Sequence, residues 1–294
     1  MTGGFHARKL AIVGMGLMGG SLALAIRAQA DHITGIDSDE RARQIALERG
    51  LVDSATDDLY AGVNRADVVI LATPVRVIVE LLRMQLGSYL RSNTLIVDTG
   101  STKQDIVDAM AALPIGVNAV GGHPMTGKEN GGIDEADGAL YRNRPFVLCP
   151  SRRTTPAARL RAQAFVESLG ALPIEMDAER HDHIVAGISH LPYLLSATLV
   201  ATISNRAQDD STFWALAAGG FRDTSRLAAS DVTMMGDILS TNTQAVATLL
   251  AQFRMQLAML ETMLIAGDQE RLGEMLLPIQ AARKEWAQKY ENGR

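Results

Sequence analysis

One polar segment, residues 121–130, carries a histidine in a setting that suits proton transfer. His123 stands between Gly122 and Pro124, just after an apolar run at residues 117–120 that is typical of a buried strand. Open α/β sheets place their chemistry in loops at the carboxyl ends of parallel strands. Because the ordinary pKa of histidine lies close to neutrality, His123 in such a loop is a candidate acid–base group. The alternative for an isolated histidine is an ordinary surface position in a flexible loop.

A glycine motif near the N terminus predicts a dinucleotide-binding site. Residues 10–13 are an apolar run, followed by Gly14, Gly16 and Gly19 in a G-x-G-x-x-G pattern and by an Ala- and Leu-rich segment at residues 21–29. A strand before the motif and a helix after it are the context that nucleotide binding requires. Gly14 would allow the tight turn, Gly16 the approach of a pyrophosphate, and Gly19 the close packing of helix on strand. The helix N terminus would present free N–H groups to the phosphates.

An acidic residue follows at the expected interval and indicates the type of cofactor. A second apolar run, residues 33–36, ends at Asp37, about twenty residues beyond the last glycine. Its carboxylate would accept hydrogen bonds from a ribose 2′-hydroxyl and would repel a 2′-phosphate. We therefore predict NAD as the cofactor, although Arg41 and Arg43 leave some use of NADP open.

The alternation of apolar runs with helical segments predicts an α/β fold with a doubly wound, mostly parallel, Rossmann-type sheet. Further strands are expected at residues 67–71, 94–97, 117–120, 146–148 and 172–175, and helices at residues 77–90, 102–110 and 155–169. Ser101 or Thr102 would cap the second of these helices. In this sheet Gly16, Thr73, Ser101 and His123 share the carboxyl edge, which makes His123 a stronger candidate catalyst. The predicted cofactor contacts are Gly14, Gly16, Leu17, Met18, Gly19, Asp37, Ala72, Thr73, Pro74 and Ser101.

The second half of the chain has a helical composition. We predict a dinucleotide-binding domain at residues 1–176 and an all-helical substrate and dimerisation domain at residues 177–294, because strand signals vanish beyond residue 177. An apolar face at helical spacing (Ile184, Ile188, Leu191, Leu195) favours a homodimer.

Two features interrupt this helical pattern and carry polar side chains. His190 lies beside Pro192, which should kink its helix. Arg226, in a glycine-rich turn at residues 219–226, could clamp a carboxylate with two hydrogen bonds. The alternatives are a helix histidine with ordinary partners and an arginine that caps helix carbonyls. His181 and His183 lack a third ligand for a metal, so we expect solvated side chains and no metal site.

Composition narrows the class of protein. The chain has 294 residues, 47% hydrophobic and 21% charged, which is ordinary for a soluble globular protein. A net charge of −5 offers no broad basic surface for nucleic acid or an anionic membrane. We find no signal peptide, and the longest apolar stretch, residues 191–203, is too short to span a bilayer. A single cysteine, Cys149, allows no internal disulfide, so we expect a cytoplasmic protein with a small-molecule substrate.

Five motifs, taken together and in order, resemble the prephenate dehydrogenase family of tyrosine biosynthesis, which includes cyclohexadienyl and arogenate dehydrogenases. They lie at residues 14–22, 98–103, 122–127, 189–192 and 220–226. The resemblance implies oxidative decarboxylation of a cyclohexadienol, in which hydride passes to NAD, the ring carboxylate leaves as carbon dioxide, and the ring becomes aromatic. It implies catalytic roles for His123, which takes the hydroxyl proton, and Ser101, which orients the hydroxyl and the nicotinamide. It implies substrate contacts at Arg226, His190, Tyr193, Thr126 and Gly127.

The resemblance leaves some points open. Some relatives have a histidine where Tyr193 stands, so the preference between prephenate and arogenate does not transfer. We expect neither a chorismate mutase segment before Gly14 nor a regulatory ACT module after the helices, so any feedback by tyrosine would act by competition at the active site. One rival is a β-hydroxyacid dehydrogenase, but the lysine those enzymes use is missing from the helix at residues 178–205. The other is an NAD(H)-sensing binding module, which gives no reason for Ser101, His123 and Arg226 to occur together.

Overall fold

An eight-stranded sheet organises the first half of the chain in the computed structural model, which describes residues 4–84, 86–128 and 130–291. Glu129 of the histidine-bearing segment and the outermost ends of both predicted domains lie outside these residues. The strands are β1 (Ala7–Val13), β2 (Ala30–Ile36), β3 (Ser54–Thr56), β4 (Val68–Leu71), β5 (Leu95–Asp98), β6 (Asn118–Pro124), β7 (Pro145–Pro150) and β8 (Leu172–Glu175). Their order is β3-β2-β1-β4-β5-β6-β7-β8, and every neighbouring pair is parallel except β6 and β7. The predicted fold class is confirmed.

Helices cover both faces of the sheet. They are α1 (Leu17–Ile26), α2 (Glu40–Glu48), α3 (Leu59–Val63), α4 (Val75–Met84), α5 (Leu86–Tyr89), α6 (Gln104–Ala111) and α7 (Pro156–Ser168). Successive residues of a strand face opposite sides. Ile12 and Ile70 accordingly belong to the core beneath α1 and α7, whereas Val13 and Leu71 belong to the core beneath α4 and α6. Because both faces are buried, these strands are continuous apolar runs rather than alternating ones.

The chain reverses direction across the sheet at β1, which pairs with β2 on one side and β4 on the other. Such a switch point leaves a crevice at the carboxyl ends of the strands, where open α/β sheets bind their ligands. The loops after β1, β4 and β5 begin with Gly14, Ala72 and Thr99, all at this edge.

The strand that carries the histidine is longer than expected. We predicted that it ends at residue 120 and that His123 lies in a loop, and this is wrong. Gly121, Gly122 and His123 pair with residues of the antiparallel strand β7, so β6 continues to Pro124. His123 therefore stands on the sheet itself, and its position is set by strand pairing.

The second half of the described chain is helical. Its helices are α8 (Ala178–Val185), α9 (Leu191–Ala207), α10 (Thr212–Ala215), α11 (Gly219–Ser225), α12 (Val232–Thr241), α13 (Thr243–Ala266) and α14 (Gln269–Trp286). A π-helical turn, Ala186–His190, separates α8 from α9, and Pro192 lies in the first turn of α9. Proline lacks the backbone N–H that a continuous helix needs, so an interruption next to Pro192 is expected. The glycine-rich segment expected to be a turn is instead helix α11, followed by a 3₁₀ turn, Arg226–Ala229.

The described chain forms two compact units, divided between Thr243 and Gln244. This division is not at residues 176–177, where the change of composition predicts a domain boundary. That boundary stays a prediction. By length and composition alone, Ala178–Ala207 and Thr243–Ala266 are apolar enough to cross a membrane, contrary to the expectation that no stretch is long enough. The buried core helices of soluble proteins meet the same criteria, so two such helices are weak evidence for a membrane protein.

Candidate active site

The glycine loop has the geometry of a pyrophosphate cradle. Gly14 has φ +97°, and a Cβ there would lie 2.6 Å from the Ala72 carbonyl oxygen. A Cβ at Gly19 would lie 1.9 Å from the carbonyl oxygen of Gly14, so only glycine allows α1 to approach the turn this closely. Gly16 faces open space and caps α1, which starts at Leu17. The first N–H groups of α1 are thus directed to a place where an anion can bind.

Asp37 lies where a ribose would be recognised. At the end of β2, its carboxylate accepts hydrogen bonds from the backbone N–H groups of Met15 (2.6 Å) and Asp39 (2.9 Å). Arg41 instead pairs with Asp134 at 2.8 Å, and Arg43 donates to the Asp37 carbonyl at 2.7 Å. A carboxylate beside the glycine turn, at the end of the second strand, is the arrangement expected for NAD.

The loop after β4 completes the cradle. The Ala72 N–H donates to the Val13 carbonyl at 2.7 Å, which places Ala72, Thr73 and Pro74 beside the glycine turn. The Thr73 hydroxyl oxygen is buried and has no hydrogen-bond partner among the described residues. A buried polar atom without a partner is unusual in a folded protein and marks a position where a ligand can donate or accept. The residues present therefore fit a dinucleotide.

His123 begins a chain of three hydrogen-bonded side chains. Nδ1 of His123 lies 2.8 Å from Nε2 of His181, and the rings meet edge to face with centroids 5.0 Å apart. Nδ1 of His181 lies 2.8 Å from Oδ1 of Asp182. His181 and Asp182 are buried on α8. The prediction that His181 is solvated is wrong, because packing of α8 on the sheet encloses it; His183, also on α8, is exposed as expected.

The surroundings of His123 favour its neutral form. Burial is the main cause that lowers its pKa well below the ordinary value, and His181, Lys103 and His190 act in the same direction. Removal of the ring from water disfavours an imidazolium, and so does the nearby cation of Lys103. At neutral pH His123 is therefore an unprotonated base.

A buried ion pair links the turn that carries Ser101 to the strand that carries His123. Lys103 Nζ contacts the Asp98 carboxylate and donates to the Gly122 carbonyl at 2.7 Å. Asp98 also accepts from the N–H of Gly122 at 2.8 Å. Ser101, half-buried, lies in the turn between these two charged residues.

Asp182, which is remote from α6 in the sequence, also caps the N terminus of that helix. Its carboxylate accepts from the backbone N–H groups of Lys103 (2.7 Å) and Gln104 (2.8 Å). The cap expected from Ser101 or Thr102 is wrong, because Lys103 occupies the cap position and Thr102 instead bonds the Thr241 hydroxyl at 2.8 Å.

His190 lies on the other side of Asp182 and is almost completely buried. The side-chain amide nitrogen of Asn242 lies 2.7 Å from the Asp182 carbonyl and 3.3 Å from Nδ1 of His190. Burial lowers the pKa of His190 to about 4 and outweighs the opposing effect of Asp182. With its Nδ1 facing an amide donor, the neutral ring carries its hydrogen on Nε2, which is left as the donor.

The remaining predicted substrate contacts lie on two other segments. Thr126 (half-buried) and Gly127 (exposed) follow β6, and the Thr126 N–H donates to the Pro124 carbonyl at 2.8 Å. Tyr193 is half-buried on α9. Arg226 is exposed on the 3₁₀ turn, which is fixed to α9 by a 2.8 Å hydrogen bond from the Ala228 N–H to the Ser196 hydroxyl.

Several residues of this network escaped the sequence reasoning. His181, Asp182 and Asn242 bind partners that are far away in the chain, and no local spacing marks them. Lys103 could have been found in the sequence, since a lysine in a polar turn directly after a buried strand is an unusual placement.

Among the described residues no group of three or more His, Cys, Asp or Glu side chains could hold a metal ion. Cys149 is buried, and burial raises the pKa of its thiol to about 12.

A dinucleotide cradle and a half-buried, neutral histidine at the same carboxyl edge of the sheet are the features of an NAD-dependent dehydrogenase. Two family models match the chain: "Prephenate dehydrogenase, nucleotide-binding domain" at residues 22–175 and "Prephenate dehydrogenase, dimerization domain" at residues 177–277. The chain belongs to the prephenate dehydrogenase family.

Individual relatives are similar to this chain over most of their length. The prephenate dehydrogenase of Bacillus subtilis (strain 168) is 34% identical over 264 residues, which are 89% of this chain and 71% of the relative. The cyclohexadienyl dehydrogenase of Zymomonas mobilis is 32% identical over 280 residues, 94% of this chain and 95% of the relative. The crystal structure of prephenate dehydrogenase from A. aeolicus with hydroxyphenyl propionate and NAD+ has a TM-score of 0.88 at 29% identity, covering 95% and 98% of the two chains.

Proposed function

We propose that this protein catalyses the NAD-dependent oxidative decarboxylation of prephenate to 4-hydroxyphenylpyruvate, or of arogenate to tyrosine. The observation that carries the proposal is the position of His123, a neutral base at the same carboxyl edge of the sheet as the NAD cradle and bonded to His181. A reaction that starts from a ring hydroxyl needs an unprotonated base next to the hydride acceptor. Family membership supplies the class of substrate.

In this reaction His123 accepts the proton of the ring hydroxyl as the carbon that bears it loses hydride. Bound NAD supplies the hydride acceptor. The bond between the ring and its carboxylate then breaks, the electron pair enters the ring, and the phenol oxygen takes the proton back. Ser101 would orient the hydroxyl, because its turn is tied to the strand of His123 through Lys103 and Asp98.

The substrate is an anion, although the protein has a net charge of −5, so local donors must hold it. Arg226 would bind one carboxylate with two hydrogen bonds. His190 would donate from Nε2, and Tyr193, Thr126 and Gly127 would border the side chain that distinguishes prephenate from arogenate. His190 lies on the π-helical turn before α9, Tyr193 on α9, and Arg226 on the 3₁₀ turn bonded to α9, whereas Thr126 and Gly127 follow β6.

The test of this function is the absorbance of reduced cofactor with purified protein, prephenate or arogenate, and NAD or NADP. Turnover with NAD and either substrate is expected, and the ratio of the two rates identifies the preferred side chain. Binding of NAD without turnover on either substrate would contradict the proposal and favour a sensor of NAD(H).

We also propose a homodimer formed through the helical region, in a cytoplasmic protein. Helix α13 carries Leu250, Leu257 and Leu264 at seven-residue spacing, and each is between 41% and 65% exposed. Residues seven apart share a helix face, and large exposed apolar faces of this kind mark subunit contacts. The family's description of its second domain as a dimerization domain supports a second copy of this chain as the occupant, rather than a lipid bilayer.

Light scattering on size-exclusion fractions tests this assembly. The wild-type protein should elute at twice the mass of one chain, and Leu257→Glu should shift the equilibrium towards monomer. Gln252→Glu adds the same charge to α13 at another exposed position and should leave the dimer intact. A wild-type monomer, or dissociation by both variants alike, would contradict this interface.

A further inference from the structure

The hydrogen-bond chain from His123 to Asp182 determines which nitrogen of His123 can act as the base. The backbone N–H groups of Lys103 and Gln104 can only donate, so the Asp182 carboxylate that they contact is an acceptor. Nδ1 of His181, 2.8 Å from the same carboxylate, must then be the donor.

The tautomer of His181 in turn determines the tautomer of His123. A neutral His181 that carries its hydrogen on Nδ1 has a lone pair on Nε2, which lies 2.8 Å from Nδ1 of His123. That lone pair must accept a hydrogen, so a neutral His123 carries its hydrogen on Nδ1. The lone pair of His123 is then on Nε2, the only ring nitrogen left to take a proton from a substrate.

We propose that His181 and Asp182 are positioning residues that hold His123 in the tautomer in which Nε2 is the base. The proposal rests on the proposed dehydrogenase function, and it adds two side chains that act through His123. When His123 accepts the hydroxyl proton, the new imidazolium donates from Nδ1 to His181, and the anionic Asp182 stabilises the positive charge through that ring. The proton returns to the phenol oxygen, so the three side chains end as they began.

Asp182 is suited to this role because its position is determined by a helix. Its carboxylate lies at the N terminus of α6, where the backbone N–H groups and the helix dipole favour a negative charge. The same contacts fix its position against the end of the turn that carries Ser101. An acceptor held in this way can orient a histidine ring, as carboxylates do in catalytic triads.

Two substitutions at position 181 separate positioning from packing. His181→Phe keeps the volume of a ring and removes both nitrogens, so it should lower kcat roughly a hundredfold, by the loss of tautomer control, with KM for NAD little changed. His181→Gln keeps an oxygen that can accept from Nδ1 of His123 and should retain kcat to within about tenfold of wild type. His183→Phe is the matched control, because His183 lies two residues further along α8 and is exposed; it should leave kcat unchanged.

The ring nitrogens of His123 give a readout that does not depend on turnover. In the wild-type protein with histidines labelled with ¹⁵N, the chemical shifts of His123 should show a protonated Nδ1 and an unprotonated Nε2 at neutral pH. A protonated Nε2 in the wild type would overturn the proposal, as would wild-type kcat in His181→Phe or an equal loss in His181→Phe and His181→Gln. If His181→Phe does not fold, the ¹⁵N chemical shifts of the wild type and the kcat of His181→Gln still test the proposal.

Failure of this proposal and failure of the proposed function would look different. If the protein turned over neither prephenate nor arogenate, the dehydrogenase function would fail whatever the tautomer of His123. If His123→Asn abolished turnover while His181→Phe did not, the function would stand and the positioning role would be wrong.

Discussion

Lys103 and Asp98 form an ion pair in which both side chains are completely buried. Lys103 also donates to the Gly122 carbonyl at 2.7 Å, and Asp98 accepts from the N–H groups of Gly100 and Gly122, both at 2.8 Å. The pair therefore joins the end of β5, the turn that follows it and the strand of His123. Inside a protein each of these charges needs the other, because either one alone would be a charge removed from water without compensation.

Lys103→Met should consequently destabilise the fold strongly. We expect the free energy of unfolding to fall by about 3–5 kcal/mol, the usual effect of removing one partner of a buried pair. Urea unfolding followed by circular dichroism measures the change. Lys9→Met, at an exposed lysine of β1, removes the same charge and should change stability by less than about 0.5 kcal/mol. Similar effects of the two substitutions would contradict the structural role of the buried pair.

Seven of the eight strands could be predicted because their information is local; the short strand β3 (Ser54–Thr56) was missed, since it is not an apolar run. Strands buried on both faces are apolar runs, and the Gly14 turn, the helix after it and Asp37 follow one another at fixed intervals. The extension of β6 through His123 could not be predicted, since it depends on pairing with β7, more than twenty residues further along. The segment of Gly219 was misread for a related reason, because docking against α9 offsets the low helix propensity of glycine.

The active site was predictable where one side chain performs the chemistry and unpredictable where side chains support each other. His123 stood out by its type and its place after a strand. His181 could not be connected with it, because 58 residues separate the two histidines in the chain and only the packing of α8 on the sheet brings them together. Asp182 and Asn242 are ordinary polar residues in sequence and gain their roles from buried contacts.

Replacing His123 tests the assignment of the base. His123→Asn should lower kcat by roughly two to four orders of magnitude, the usual contribution of a positioned acid–base group, while the affinity for NAD stays nearly constant. Steady-state rates with saturating NAD and a separate titration of NAD binding measure the two effects. His183→Asn removes an exposed histidine and should be silent. Turnover close to wild type in His123→Asn would remove this residue from the mechanism.

Asp37 should determine the choice of cofactor. Asp37→Asn removes the negative charge but keeps the shape of the side chain, so we expect KM for NAD to rise about tenfold, corresponding to roughly 1.4 kcal/mol for a hydrogen bond to a charged group. The preference for NAD over NADP should shrink because the repulsion of a 2′-phosphate is lost. Rates with each cofactor at saturating substrate measure the ratio. An unchanged ratio would show that other groups exclude NADP.

The buried His190 should make stability depend on pH. Its pKa is lowered from 6.5 to about 4 in the folded protein, so the unfolded chain binds a proton more readily. The stability from the neutral ring is fully present above pH 6.5, and it is lost as the pH falls towards 4, by up to about 3 kcal/mol.

Urea unfolding at several values of pH between 7 and 4 tests this dependence on His190. The free energy of unfolding should fall less steeply in His190→Gln than in wild type, because glutamine does not titrate. His183→Gln serves as the control and should follow the wild-type slope. Identical slopes for wild type and His190→Gln would show that other groups cause the loss of stability in acid.

Arg226 should contribute to substrate binding more than to the chemical step. Arg226→Ala should raise KM for prephenate about tenfold to a hundredfold, corresponding to the loss of a charge-assisted pair of hydrogen bonds, with a smaller effect on kcat. Arg222→Ala is the matched control, since Arg222 is an exposed arginine of the same segment that pairs with its neighbour Asp223 at 2.9 Å. Initial rates at varied prephenate and saturating NAD separate the two constants. If both variants raised KM equally, the effect would come from general charge, and Arg226 would not be the specific carboxylate ligand.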